Sequence, residues 1–110
     1  MAETFKELAQ RQVPVTTPAS VYAPAAATTA IIKGMKITNP SGAAATVRLY
    51  HHNSGGAASD ATTILPAVSI PAGGWAEFDG VMVMDALDDL KCVSDTNNVL
   101  TITVYGMEIT

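Results

Sequence analysis

Four groups of residues in this 110-residue chain have side chains suited to chemistry. His51 and His52 are adjacent imidazoles, and Asp85, Asp88 and Asp89, flanked by Asp79 and Asp95, form a dense carboxylate cluster. Cys92 is the single thiol and Trp75 the single indole. A metal site needs ligands that converge on one point, whereas neighbours on a strand face opposite ways. His51-His52 therefore reads as a strand end running into an exposed loop. Calcium draws carboxylate oxygens from alternating positions of one tight loop. The stretch DALDDL lacks that alternation and reads as a solvated turn, with Leu87 and Leu90 turned inward. Cys92 lies in an apolar strand pattern, as a small buried hydrophobe does. There is no G-x-S-x-G elbow and no G-x-G-x-x-G, and the segments SGG and AGG lack the following helix that a phosphate site requires. The expectation is a chain without enzymatic activity, cofactor or metal.

Trp75 follows a Gly-Gly turn in ILPAVSIPAGGWAEFDG, where Pro66, Pro71 and Gly73-Gly74 mark a corner between two strands. Alternation puts Trp75 and Glu77 on one face, Ala76 and Phe78 on the other. With Phe78 returning to the core, Trp75 points outward, where a large aromatic usually meets another subunit.

The elements that would carry these residues are almost all strands. TTAIIKGMKITN (28–39) places Met35 and Ile37 opposite Lys36 and Thr38, and ends at the turn cluster Asn39-Pro40-Ser41-Gly42. AATVRLYHHN (44–53) sets Val47 and Leu49 against Arg48 and Tyr50. A loop, SGGAASDA (54–61), separates it from ATTILPAVSI (61–70), GWAEFD (74–79) and VMVM (81–84). LKCVSD (90–95) and NVLTITVYGMEIT (98–110) close the series, joined by Thr96-Asn97-Asn98, with Leu100, Ile102 and Val104 on one face of the last strand. QVPVT and ASVYAP read as short, proline-bounded edge segments. Only ETFKELAQR (3–11) has helix-like spacing, Phe5 and Leu8 being three apart with acids early and Arg11 late. Residues 1–19 are therefore expected to form an N-terminal arm, a short helix plus an extended segment, that either frays or docks on a neighbouring subunit. Residues 20–110 are expected to form one all-β domain of seven or eight strands, an antiparallel sandwich or jelly roll. Alternation alone leaves jelly roll and immunoglobulin-like Greek key both open.

Composition narrows the partners. The chain is 48% hydrophobic but only 15% charged, well below the ~25% of average soluble proteins, so its surface is rich in neutral Thr, Ser, Asn and Ala. Such a surface suits contact with other protein. Net charge −4 and six scattered basic residues argue against nucleic acid. One cysteine excludes an intramolecular disulfide. MAETFKELAQRQVPV has no apolar segment of a signal peptide, and no run approaches the ~20 apolar residues of a membrane-spanning helix. Cytoplasmic synthesis without a membrane partner is the expectation.

Three phrases, APAAATTAIIKGMKITNPSGAAATVRLYHHNSGG, ILPAVSIPAGGWAEFDGVMVM and LTITVYGMEI, carry a resemblance. In order and turn chemistry they are similar to small all-β structural proteins of tailed bacteriophages, over residues 20–110. The resemblance implies a virion accessory protein without catalysis, assembled in the host cytoplasm: a capsid decoration (cement) protein, a head-fibre or collar component, or a neck, tail or baseplate module. It implies partnership with the major capsid protein or other virion proteins, and a homo-oligomer, a trimer being favoured. Phe5, Leu8, Tyr50 and Trp75 are the candidate contact residues. A reading of another class is a carbohydrate- or cell-surface-binding sandwich using Trp75, Tyr50 and the 85–89 turn with Ca²⁺.

Overall fold

The computed structural model describes residues 3–15, 17–53, 56–95 and 99–109, with the side chains of Glu3, Thr4, Phe5, Asp60 and Gly80 left out. It has eight strands: β1 (Glu3–Gln12), β2 (Ala19–Tyr22), β3 (Thr29–Thr38), β4 (Ala45–His52), β5 (Thr63–Ile70), β6 (Trp75–Met84), β7 (Asp89–Ser94) and β8 (Thr101–Ile109). A single 3-10 turn, Asp60–Thr62, precedes β5. The Thr96-Asn97-Asn98 turn lies outside the described residues.

The pairing is nested. β1 pairs with β8, β2 with β7, β3 with β6 and β4 with β5, all antiparallel. The chain is thus one long two-stranded ribbon, its tip between β4 and β5, rolled back on itself so that β8 meets β3 and β7 meets β4. Rolling yields two four-stranded sheets, ordered β1-β8-β3-β6 (sheet A) and β2-β7-β4-β5 (sheet B). This order is the eight-stranded jelly roll, and it resolves the topology that alternation leaves open.

Between the sheets lies the core the alternation predicts. Ile37 of β3, Val47 and Leu49 of β4, Leu90 and Cys92 of β7, and Ile102 and Val104 of β8 are all buried in it. Met35, Ala76 and Phe78 pack against its edge. Pro66 falls in β5, an edge strand of sheet B, where its missing N–H costs no ladder bond on the open side.

Three expectations are corrected. Residues 3–11 are not helical but belong to β1, an edge strand of sheet A. Charged residues at such an edge discourage unwanted strand pairing, so Lys6, Glu7 and Arg11 fit it. Leu8 is the extra residue at a register shift between Glu7 and Ala9, and this insertion produces the three-residue interval that looks helical. GWAEFD and VMVM are not two strands; they run together as β6, with Gly80 and Val81 standing opposite the single residue Lys33. Leu87 does not turn inward: it is 53% exposed, with a left-handed backbone (φ 68°), and its N–H donates to Pro24 O at 3.0 Å. Of QVPVT, Gln12 ends β1 and Val15 makes a parallel bridge to Ser94.

The register shifts of β1 (Glu7/Ala9) and β3 (Ile32/Gly34) fall at one level of sheet A, beside Tyr105 and Gly106 of β8. At the same rim Glu108 of β8 ties the sheets together. Its Oε1 lies 2.7 Å from Lys6 Nζ of β1, and its Oε2 accepts the Tyr22 hydroxyl of β2. These two bonds hold the Glu108 carboxyl below its ordinary value, Lys6 contributing most. Burial, then the bond to Glu108, pushes Tyr22 far up. A depressed carboxylate stabilises the fold above its unfolded value of 4.5 and loses that contribution as pH falls through the lower folded value. Because the Lys6 ammonium is about half exposed, screening keeps the effect small. Glu108→Gln is expected to cost ~1 kcal/mol at pH 7. In urea titrations at stepped pH, that difference should close below pH 4.5.

Candidate functional site

The corner before β6 sets the position of Trp75. Gly74 N–H donates to Pro71 O at 2.9 Å, closing a four-residue turn whose third residue, Gly73, has φ 65°. That angle is the one a type II turn requires, and glycine adopts it without strain. A side chain at Gly74 would meet the stiff Pro71 ring, its Cβ falling 2.7 Å from Cγ. Fully buried Asn39 then locks the corner to the end of β3. Its backbone N–H donates to Gly74 O (2.9 Å), and its Nδ2 donates to Ala43 O (2.8 Å) and Ile70 O (3.0 Å). Its Oδ1 accepts from the Ser41 N–H (3.0 Å) and hydroxyl (2.7 Å). Every polar atom of the side chain is satisfied, as burial demands.

From this anchored start β6 runs along the open edge of sheet A, with odd-numbered residues outward. Trp75 is 60% exposed, as the alternation predicts. Lys36 Nζ sits 5.3 Å from the centre of its ring and 3.9 Å from Glu77 Oε1. Glu77 and Asp79 continue the exposed row, so this end of the face is aromatic and acidic. The other end is apolar: Val81 and Val83 are 67% and 53% exposed. Ile31 pairs with both Val83 and Met107, extending the apolar row across β3 to β8, and exposed Tyr105 borders it. An exposed cluster of this kind on a small domain marks a contact surface.

Sheet B carries a concavity instead. Val15 and Pro18, which lie between β1 and β2, line one side of a groove of about 560 Å³. Its lining includes Val15, Pro18, Arg48, Tyr50, Ala67 and Val93. Asp95, also in the groove, accepts the Thr46 N–H at 2.9 Å. The Arg48 side chain is exposed and has no ion-pair or hydrogen-bond partner among the described residues.

The four expected contact residues separate. Trp75 stands on the outer face of sheet A. Phe5 takes the register position beside Met107, and its side chain lies outside those described. Leu8 packs partly against the core. Tyr50 shares the outward face of β4 with Arg48, yet it is only 7% exposed, so it lines the groove instead of projecting. Val81, Val83 and Arg48 are surface features the sequence reading passed over; the signal for the valines was the strict alternation of VMVM after Gly80.

Most of the chemically suggestive groups are engaged within the fold, the buried His52 Nε2 having no hydrogen-bond partner among the described residues. In the 85–89 turn Asp85 and Leu87 are exposed, as a solvated turn requires, but Asp88 is buried, its Oδ2 accepting the Asp85 N–H at 3.1 Å and lying 3.1 Å from His51 Nε2. Asp89 accepts the Ser20 hydroxyl at 2.6 Å. His52 is buried, its Nδ1 3.0 Å from Asn53 O. Burial pushes the Cys92 thiol up to about 11, far from the thiolate a nucleophile needs. Among the described residues no three His, Cys, Asp or Glu side chains cluster as metal ligands.

No family model matches the chain, and no curated protein does. Among solved structures, it is similar to a chain of the T13 IBDV viral particle, with a TM-score of 0.50 and 10% identity. The likeness covers 97% of this chain and 30% of that one, so this chain corresponds to under a third of its length. At that identity the likeness is one of fold.

Proposed function

We propose that this protein is a non-enzymatic structural component of a virus particle, and specifically a decoration (cement) protein of a phage capsid. The observation that carries the reading is the apolar row of exposed Val81 and Val83 with half-buried Ile31 and Met107 on a jelly roll similar in fold to a chain of a viral particle. Sparse charge and the commitment of His51, Asp88, Asp89 and Cys92 to internal roles support a binding rather than a catalytic task. A cement protein seats many copies on a repeating surface, so modest contacts add up through multivalency. The apolar row is the surface proposed to seat on the major capsid protein.

The test uses heads assembled without the protein. Wild type is expected to co-sediment with them in hundreds of copies. Val81→Asp with Val83→Asp should abolish co-sedimentation while leaving the melting temperature nearly unchanged, since exposed positions usually contribute within ~0.5 kcal/mol. Failure of the wild-type protein to bind heads would sink the capsid reading. Binding in only six to a few dozen copies per virion would move the protein to the neck, tail or baseplate. Lys36 over the Trp75 ring favours a protein contact there over sugar stacking, because it takes up one ring face.

A further inference from the structure

The two outer faces carry complementary chemistry. On sheet A, β6 presents Trp75, Glu77 and Asp79 at every second residue, a spacing of ~6.7 Å. On sheet B, β4 presents Thr46, Arg48 and Tyr50 at the same interval, flanked by Lys91, which pairs with Tyr50, and Val93, which pairs with Arg48. Neither Arg48 nor Lys91 has an ion-pair partner among the described residues. The other basic side chains outside the exposed Lys33 are engaged: Lys6 by Glu108, Arg11 by the Gln12 and Ser20 carbonyls, and Lys36 by Glu77 and the Trp75 ring.

We infer that the groove on sheet B receives the Trp75–Glu77 edge of a second copy of this chain. Glu77 meets Arg48, exchanging its weak 3.9 Å surface pair with Lys36 for a groove-held guanidinium. Trp75 then fills the apolar part walled by Val15, Pro18 and Val93. At about 560 Å³ the groove lies within the ~300–1,000 Å³ of small-molecule pockets, roomy enough for an indole with its flanking strand. Aromatic anchors in such pockets dominate interface energetics.

Charge decides the symmetry. Two β6 edges face to face would bring Glu77 and Asp79 against their own copies, which like-charge repulsion disfavours. Joining face A to face B is instead attractive and heterologous, so each subunit offers one edge and one groove. Such head-to-tail contacts close into a ring when the rotation allows. This adds a contact between copies to the structural role proposed above and rests on that reading. Particle binding is read separately, so a failure there and a failure here are distinguishable.

The experiment is sedimentation equilibrium of the purified full chain over a wide concentration range, with circular dichroism confirming each variant's fold. Wild type is expected to self-associate. Trp75→Ala and Arg48→Glu should each weaken association tenfold or more. An Arg48→Glu chain keeps a sound edge and a Glu77→Arg chain keeps a sound groove, so mixing the two should restore association, through the native Glu77–Arg48 pair in one direction and the charge-reversed pair in the other. The double variant Arg48→Glu/Glu77→Arg should regain association by itself. A wild-type protein that stays monomeric at hundreds of micromolar, association indifferent to Arg48→Glu, or single charge variants that stay apart on mixing would each overturn the contact.

Discussion

Gly106→Ala is expected to cost about 3–5 kcal/mol of folding stability, from one added methyl. Gly106 sits inside β8, between β1 and β3, where the register of β3 shifts and one residue from the shift of β1. A Cβ built there would fall 2.1 Å from Ile31 O, 3.0 Å from Ile31 C and 3.0 Å from Ile32 Cα. All three atoms are backbone, so no rotamer change relieves the clash; β3 and β8 must move apart at the centre of sheet A. Ordinary overpacking costs ~1–3 kcal/mol because side chains yield, and here none can. A domain of this size has ~5–15 kcal/mol in total, so the variant should unfold at a much lower urea concentration or fail to accumulate. Gly42→Ala is the control: nothing lies within 4 Å of a Cβ there, and its midpoint should match wild type. A Gly106→Ala protein with an unchanged midpoint would mean that β3 does not cross β8 this closely.

That close crossing illustrates which parts of the fold can be read from sequence. Inward and outward positions of β4, of β8 and of β3 beyond its shift at Ile32/Gly34 follow from period-2 alternation, because each strand buries one face. Before that shift β3 buries the opposite parity, Ala30 and Ile32. The same logic turns Trp75 outward and Phe78 inward, and the Gly-Gly corner before them is local turn chemistry. What alternation does not carry is partner choice. The β1–β8 and β2–β7 ladders join opposite ends of the chain, and nothing in ETFKELAQRQ names β8 as its partner. Without that partner its Glu, Lys and Gln residues read as helix formers, while the bulge at Leu8 mimics helical spacing. Alternation puts Tyr50 on the outward face, but its burial in the groove it shares with Val15 and Pro18 is a tertiary event. Asp88 likewise looked solvated until the fold brought it against His51, thirty-seven residues away.

Asn39→Asp should be nearly as damaging as the Gly106 change, despite preserving shape. The native amide donates to the Ala43 and Ile70 carbonyls at 2.8 and 3.0 Å, from a fully buried position. A carboxylate has no hydrogen to give, so it would set a negative oxygen against two carbonyl oxygens and strand an unpaired charge in the interior. Removing one partner of a buried charged interaction costs ~3–5 kcal/mol, and this case is of that kind. The pH dependence identifies the cause. Burial and facing carbonyls raise the carboxyl's folded value above its unfolded ~3.9. The penalty is therefore complete above the raised value and is relieved as pH falls through it, because the protonated acid regains one donor. Wild type and Asn39→Asp should thus differ most near pH 7 and converge toward pH 4 in urea titrations. A constant difference across that range would assign the loss to packing instead. The functional consequence follows from Gly74, whose carbonyl accepts the Asn39 N–H immediately before Trp75. Even where Asn39→Asp remains folded at low temperature, its loosened corner should weaken self-association as Trp75→Ala does, since an anchor must be held in place to fill a groove.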